Sequence, residues 1–161
     1  MPDIKPNLQL ETIRCLPKGI CSWNFNLSGE AFAADVAFNL MSEQGQILLD
    51  GLVFEVVKPT MFDGHWKLEY KDQEVASASK TTALLRVFEV SSVEAVFSVR
   101  PAFAMSNSFL IEQDGVVMGR IVPDHMFTRR ATIHMDHEMQ PHHVAFAFWL
   151  TVLMRRRAAQ S

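Results

Sequence analysis

The sequence predicts a mostly-β fold, a closed or nearly closed antiparallel β-barrel threaded by a hydrophobic C-terminal helix. Three observations predict it: apolar and polar residues alternate in short runs from Ile20 to Met135, turn residues separate these runs, and an unbroken apolar segment follows Pro141. With 161 residues and 48% hydrophobic content, the chain has the usual size and core material of one cooperative domain.

Residues 1–19 contain three prolines and are predicted to form an N-terminal arm that is only partly ordered on its own. The barrel domain is then predicted over residues 20–161. The first residues lack the uninterrupted apolar stretch of a signal peptide, and two cysteines, Cys15 and Cys21, are too few for a disulfide framework. We therefore expect a cytoplasmic protein with reduced thiols, and peripheral contact with a membrane stays open.

Period-two alternation predicts strands with one buried and one wetted face. The turn dipeptide Asp114-Gly115, between two apolar runs, is the strongest hairpin signal, and turn spacing predicts about nine or ten strands. Asp50 and Glu55 are predicted to lie on opposite faces of one strand, where two carboxylates cannot converge on a substrate. The clearest apolar rows are Phe32-Ala34-Val36-Phe38-Leu40, Trp66-Leu68-Tyr70 and Val93-Ala95-Phe97-Val99.

The segment from Val144 to Met154 is apolar except for Thr151, and a helix over about residues 141–158 is predicted around it. Pro141 suits the first helical turn, and three consecutive arginines suit the last. Eleven helical residues span only about 17 Å, whereas the hydrocarbon core of a bilayer is about 30 Å thick. A helix that is apolar on all sides must then be enclosed by protein, which predicts a sheet curled around it.

This pattern resembles the tubby C-terminal-like superfamily, which includes tubby proteins, phospholipid scramblases and the LURP-one-related proteins of plants. The likeness covers roughly residues 20–158 and implies a closed antiparallel barrel of about twelve strands threaded by a helix, without catalytic residues. A cysteine cluster for palmitoylation and a DxDxDG calcium loop are missing, so scramblase activity is not implied. The resemblance is carried by GHWKLEYKDQEVASASK, FLIEQDGVVMGRI, FTRRATI and the closing helix AFAFWLTVLMRRR.

Charge limits the classes of partner. The net charge of -3 argues against broad nucleic-acid binding. On the likeness to lipid-binding members of the superfamily, the nearest candidates in sequence for an anionic-lipid site are Arg120, Arg129 and Arg130. Three basic residues across a predicted hairpin are also common on ordinary protein surfaces.

Five of the six histidines lie between His125 and His143, in a segment rich in zinc-type ligands. The candidate metal ligands are His134, His137, His142 and His143. Their spacing misses the HExxH motif, and we expect a polar loop in which the histidines cap exposed backbone groups, with no metal or other cofactor.

The sequence contains no nucleophile elbow and no phosphate-binding glycine loop, so a non-catalytic role is favoured over an enzyme. We expect a binding domain that engages a membrane surface, an anionic lipid or a protein partner. Two alternatives stay open: a metal-dependent enzyme with its site between His125 and His143, and a structural or regulatory protein that acts by self-association.

Overall fold

A computed structural model describes residues 11–161, in which twelve β-strands precede one C-terminal α-helix. The predicted arm falls partly outside the described residues, since residues 1–10 are not among them. The strands are β1 (Thr12–Pro17), β2 (Phe25–Ser28), β3 (Ala33–Phe38), β4 (Gly45–Leu49), β5 (Leu52–Val57), β6 (His65–Tyr70), β7 (Gln73–Lys80), β8 (Phe88–Ser91), β9 (Val96–Pro101), β10 (Phe109–Gln113), β11 (Val116–Pro123) and β12 (Ala131–Met135), and the helix is α1 (Pro141–Gln160).

The strands close into a barrel in which every pair of neighbours is antiparallel and follows chain order. Closure occurs where β1 pairs with both β2 and β12, with Ile13 opposite Ile133. The predicted fold class is thereby confirmed. One part of the domain prediction needs correction: residues 12–17, which we assigned to the arm, form the strand that seals the barrel.

The barrel interior is filled by α1 and by the inward-facing residues of the strands. Burial alternates along nearly every strand, as in β4, where Gly45, Ile47 and Leu49 are buried and the residues between them are exposed. The helix is buried without interruption from Pro141 to Met154. Strands and helix therefore share one hydrophobic core, which explains why the helix has no polar face.

Aromatic contacts fix the helix inside the sheet. Phe148 meets Phe25 edge to face at 5.2 Å between ring centroids, and Trp149 stacks on Phe38 at 4.3 Å. The indole Nε1 of Trp149 donates a hydrogen bond to the carbonyl of Ala37 at 3.1 Å. The buried indole thus has a partner for its one polar group, which avoids the cost of an unpaired donor.

The two ends of α1 lie where the proline and the arginines of the sequence predicted them. Pro141 occupies the first turn, where its missing N–H removes no helical hydrogen bond, and Arg157 lies in the last turn. The hydroxyl of Thr151 donates to the carbonyl of Ala147 at 3.0 Å, so that the polar group inside the apolar segment is satisfied. The described residues include no helix that combines the length and the apolar character required to span a membrane.

The predicted count of nine or ten strands was too low, and one reason lies at Asp50-Gly51. These two residues have φ of 50° and 78°, and they turn the chain between β4 and β5. Asp-Gly with positive φ at both positions is the preferred chemistry of a tight hairpin. Asp50 and Glu55 therefore do not share a strand, because the apolar run around them is a hairpin of two strands.

Two predicted apolar rows extend too far. Phe32 to Phe38 face the interior as expected, but Leu40 lies beyond the end of β3 and is 90% exposed. Val93 is fully exposed in the loop before β9, where the buried row begins only at Phe97. In both cases the alternation in sequence extends beyond the paired residues of the strand, because it reports side-chain type and not hydrogen bonding.

Candidate functional site

The two ends of the barrel carry different chemistry. In an antiparallel meander the connections alternate between ends, so six loops meet where the C-terminus of α1 emerges. They span residues 18–24, 39–44, 58–64, 81–87, 102–108 and 124–130. We call this the crown end. The acidic end, where α1 begins, comprises residues 29–32, 50–51, 71–72, 92–95, 114–115 and 136–140.

The crown end exposes eleven large apolar side chains, and each of its six loops contributes at least one. We call this set the apolar crown. In the loops of the acidic end the exposed large apolar residue within the described chain is the smaller Val93, and the exposed Val96 and Val116 begin the strands that follow two of these loops. Large apolar side chains concentrated at one end of a molecule indicate an interaction surface. The apolar crown consists of Ile20, Leu40, Met41, Met61, Phe62, Leu84, Leu85, Phe103, Met105, Met126 and Phe127.

Charge is divided along the same axis. The six crown loops and the end of α1, residues 155–161, contain eight Lys and Arg side chains against three Asp and Glu. The loops of the acidic end contain seven Asp and Glu against one lysine. Although the net charge of the chain is only -3, one end of the barrel is positive and the other is negative. The apolar crown lies on the positive one.

Several arginines of the crown end hold its loops by their backbone. Arg86 donates to the carbonyls of Ala104 and Ser106, both at 2.9 Å. Arg156 donates to the carbonyls of Leu40 and Ser42, also at 2.9 Å. A carbonyl is neutral, so these bonds position the loops without cancelling the positive charge of the arginines. The loops are thereby braced from within while their apolar tips point outward.

Glu43 is one of the three acidic residues of the crown end, and neighbouring cations neutralise its charge. Its carboxylate accepts from Arg157 and, at 2.7 Å, from Lys58. The hydrogen bond from Arg157 is the main cause that lowers the pKa of Glu43 to about 2, with Lys58 adding to it and burial opposing it. Two cations on one carboxylate leave this cluster with net positive charge, consistent with the sign of the crown end.

The structure separates the three arginines that were candidates for anion binding. Arg129 and Arg130 line a groove of about 540 Å³ between the loops 18–24 and 124–130, together with Lys18. Arg129 also stacks at 3.8 Å over the ring of Trp23. Arg120 lies elsewhere, on the outer face of β11, where it pairs with Asp136 at 3.6 Å.

The apolar tips Ile20 and Phe127 line the same groove. Cations beside apolar tips form an arrangement that can hold an anionic head group while neighbouring side chains enter an apolar phase.

A second cluster lies at the acidic end, where α1 begins. His142 and His143 are buried in the first turn of the helix, with ring centroids 4.3 Å apart. Nε2 of His143 lies 3.7 Å from the carboxylate of Glu94, in the loop before β9. Among residues 11–161, neither ring nitrogen of His142 has a hydrogen-bond partner, and neither does Nε2 of His143.

The electrostatics of the cluster keep both imidazoles neutral at pH 7. Burial lowers the pKa of His143 to about 4, with further lowering by His142 and an opposing effect of Glu94. Burial also lowers the pKa of His142, again opposed by Glu94. The positive end of the helix dipole acts in the same direction. A neutral imidazole keeps one free lone pair on a ring nitrogen. In this form the ring can accept a hydrogen bond or bind a metal ion.

The polar loop that we predicted for the histidine segment is therefore only partly present. His142 and His143 belong to α1 and do not cap exposed backbone, because the helix already starts at Pro141. His134 lies on β12 opposite Arg120, and His137 is exposed in the following loop. Within the described chain the metal-type cluster consists of Glu94, His142 and His143, without His134 or His137.

The two cysteines lie in different environments. Cys15 is fully buried in β1, and desolvation raises its pKa far above the usual range, so its thiol stays protonated. Cys21 is an exposed free thiol in the crown loop 18–24. Neither cysteine belongs to the cluster around His142.

Sequence reasoning missed the apolar crown and Glu94. A signal for the crown does exist, since apolar residues recur within turn-rich segments about every 20 residues, which is the length of two strands and two loops. Glu94 has no comparable signal, because it lies far from His142 in sequence. Comparisons of the chain with protein-family models, curated proteins and solved structures found no match.

Proposed function

We propose that this barrel is a non-catalytic module that docks its crown end on an anionic membrane surface. The observation that carries the proposal is the coincidence of the apolar crown with the positive end of the molecule. The apolar tips come from six loops that are distant in sequence, and the positive charge comes from these loops together with the end of α1. An apolar tip favours an apolar phase, and a cationic rim favours anionic head groups, so a negatively charged bilayer satisfies both.

The magnitudes support docking without a deep binding pocket. Full burial of a Leu, Met or Phe side chain contributes about 1.5–3 kcal/mol. A Lys or Arg near an anionic surface contributes about 1 kcal/mol, which salt weakens. Partial insertion of a few tips, together with several cations, therefore contributes several kcal/mol in favour of docking. Arg129 and Arg130, with Lys18, are the cations proposed to contact head groups.

A membrane fits this end better than a protein partner does. The tips come from six separate loops, whereas protein interfaces usually have a contiguous apolar core with a polar rim. Loop tips can enter the head-group region independently. Docking of this kind also leaves the opposite, acidic end facing away from the bilayer, because like charges repel.

The resemblance to the tubby C-terminal-like superfamily is part of this proposal. The closed barrel of twelve strands around a hydrophobic helix supports kinship, and association with membranes is among the roles proposed for members. The kinship would also account for the absence of a catalytic motif in the sequence. Membrane docking itself rests on the crown and not on the resemblance.

Co-sedimentation with vesicles tests the proposal. We expect the protein to bind phosphatidylcholine vesicles that contain phosphatidylserine, to bind phosphatidylcholine alone much more weakly, and to be released by salt. Replacing Phe62 and Phe127 together by Ser should weaken binding at least about tenfold, since about 1.4 kcal/mol is enough for that factor. The matched control is Val93→Ser, at a fully exposed apolar position of the acidic end.

A second pair of variants separates the crown from general surface charge. Arg130→Gln should weaken binding about fivefold, as expected for about 1 kcal/mol, whereas Arg120→Gln should have little effect. Both arginines are exposed. If the parent protein does not bind phosphatidylserine vesicles, or if Val93→Ser weakens binding as much as the double crown variant, the proposal is wrong.

A further inference from the structure

Glu94, His142 and His143 converge at the end of the barrel opposite the crown. One ligand atom from each lies within 4.8 Å of the other two. Two of these residues belong to the first turn of α1, and the third belongs to the loop that joins β8 to β9. We propose that these three side chains bind a divalent metal ion of the zinc class.

The chemistry of the donors fits such an ion. Two neutral imidazoles and one carboxylate form a ligand set that proteins use for Zn²⁺, with bonds of about 2.0–2.2 Å. Ligand atoms around a tetrahedral ion then lie about 3.4 Å apart, so the cluster must contract by about an ångström. Glu94 can make that adjustment, since its side chain is on an exposed turn, whereas both rings are held by the helix.

The orphaned nitrogens are the independent observation that points to a ligand. His142 is fully buried and His143 is 1% exposed, yet three of their four ring nitrogens lack a hydrogen-bond partner in the part of the chain that the structure describes. Buried polar atoms are nearly always paired. The neighbouring rings are apolar, since Phe54 stacks parallel to His142 at 6.0 Å and Phe97 lies 5.4 Å from His143. A metal ion would bind the lone pairs of these ring nitrogens.

The charge of this end favours a cation. A helix N-terminus by itself repels positive charge, but the loops of the acidic end carry seven carboxylates against one lysine. The ion would link the start of α1 to the β8–β9 loop. It would thereby connect the central helix to the wall of the barrel. The site is independent of membrane docking, because it lies at the other end of the molecule.

Metal titration of protein stripped with EDTA tests the inference. We expect one equivalent of Co²⁺ to give the visible absorption of a low-coordinate histidine site, and Zn²⁺ to displace it. Zinc at about one hundred times its dissociation constant should raise the melting temperature by about 5–10 °C. Glu94→Gln should weaken binding of both ions at least about tenfold. The control Glu138→Gln, which removes an exposed carboxylate of the same end, should not.

His142→Leu provides a second measurement that does not depend on Glu94. This variant should lose the Co²⁺ absorption and the zinc-dependent rise in melting temperature, while a cooperative unfolding transition shows that it folds. The proposal is overturned if zinc leaves the melting temperature of the parent unchanged, which would leave buried water as the partner of the rings. It is equally overturned if Glu94→Gln binds as tightly as the parent, or if binding depends on His134 and His137 instead.

Discussion

His142 and His143 occupy a position at which a helix does not tolerate protonated histidine. They lie in the first turn of α1, inside an apolar core, with Phe54 and Phe97 against their rings. Protonation there would place a charge in a medium of low dielectric constant and beside the positive end of the helix dipole. The folded state therefore prefers both rings neutral, and this preference links stability to pH.

The stability of the metal-free protein should fall as the pH is lowered from about 6.5 to about 4. The folded pKa of His143 is about 4, against a model-compound value of 6.5, so within this window the unfolded chain binds a proton that the folded chain does not. The free energy of unfolding should be unaffected by His143 above this window and should fall by about 3 kcal/mol across it. His142 shifts in the same direction and adds to the loss.

Urea unfolding at a series of pH values in the presence of a chelator measures this dependence. The double variant His142→Leu/His143→Leu should flatten the profile between pH 6.5 and 4, while the exposed control His137→Gln should retain it. A parent protein whose stability is constant across that window would mean that the rings can be protonated in the folded state.

At the scale of elements, α1 and the sheet complete each other. Inward-facing residues such as Phe25 and Phe38 have α1 as their packing surface, and the helix is buried on all sides by the strands. The fit is closest near Trp149, whose indole donates to the carbonyl of Ala37. Gly45 pairs opposite Phe38 and lies against the same carbonyl. A Cβ added at Gly45 would come within 1.9 Å of that oxygen.

Gly45→Ala should therefore destabilise the barrel by about 1–3 kcal/mol, because backbone atoms of β3 must shift to admit the methyl group. Gly19→Ala is the matched control, since its Cβ would have no heavy atom closer than 3.7 Å and its φ is not positive. Chemical denaturation of both variants provides the comparison. Equal stabilities for the two would show that β3 and β4 separate at little cost.

At the scale of the whole molecule, the important feature is polarity along the barrel axis. Apolar tips and cations gather at one end, and carboxylates gather at the other. Docking on an anionic bilayer should therefore have one orientation, with the barrel axis directed toward the membrane. The native thiols make this testable, because Cys21 is exposed in a crown loop and Cys15 is buried with a raised pKa.

A polarity-sensitive fluorophore on Cys21 should brighten and shift to the blue when phosphatidylserine vesicles are added, since loop 18–24 approaches the bilayer. The same fluorophore on Val93→Cys, in a Cys21→Ser background, should show neither change because it lies at the acidic end. A response of equal size from both positions would argue for side-on or random attachment.

The sequence by itself determined the elements and the fold class. Alternation, Asp-Gly turns and a helix without a polar face are local patterns that each permit few structures, and a fully apolar helix beside a curled sheet requires enclosure. Errors arose where a local pattern was ambiguous. The hairpin at Asp50-Gly51 was predicted to be one strand. Leu40 was predicted to end a buried apolar row, although it lies on the crown.

Only the tertiary structure decided which residues meet. Every second loop of a closed meander reaches the same end of the barrel, so Ile20 and Phe127 line one groove although they are far apart in the chain. Glu94 meets His143 for the same reason, through closure of the barrel around α1. Contacts of this kind depend on how the strands pair and how the helix is threaded, and no local spacing in the sequence encodes them.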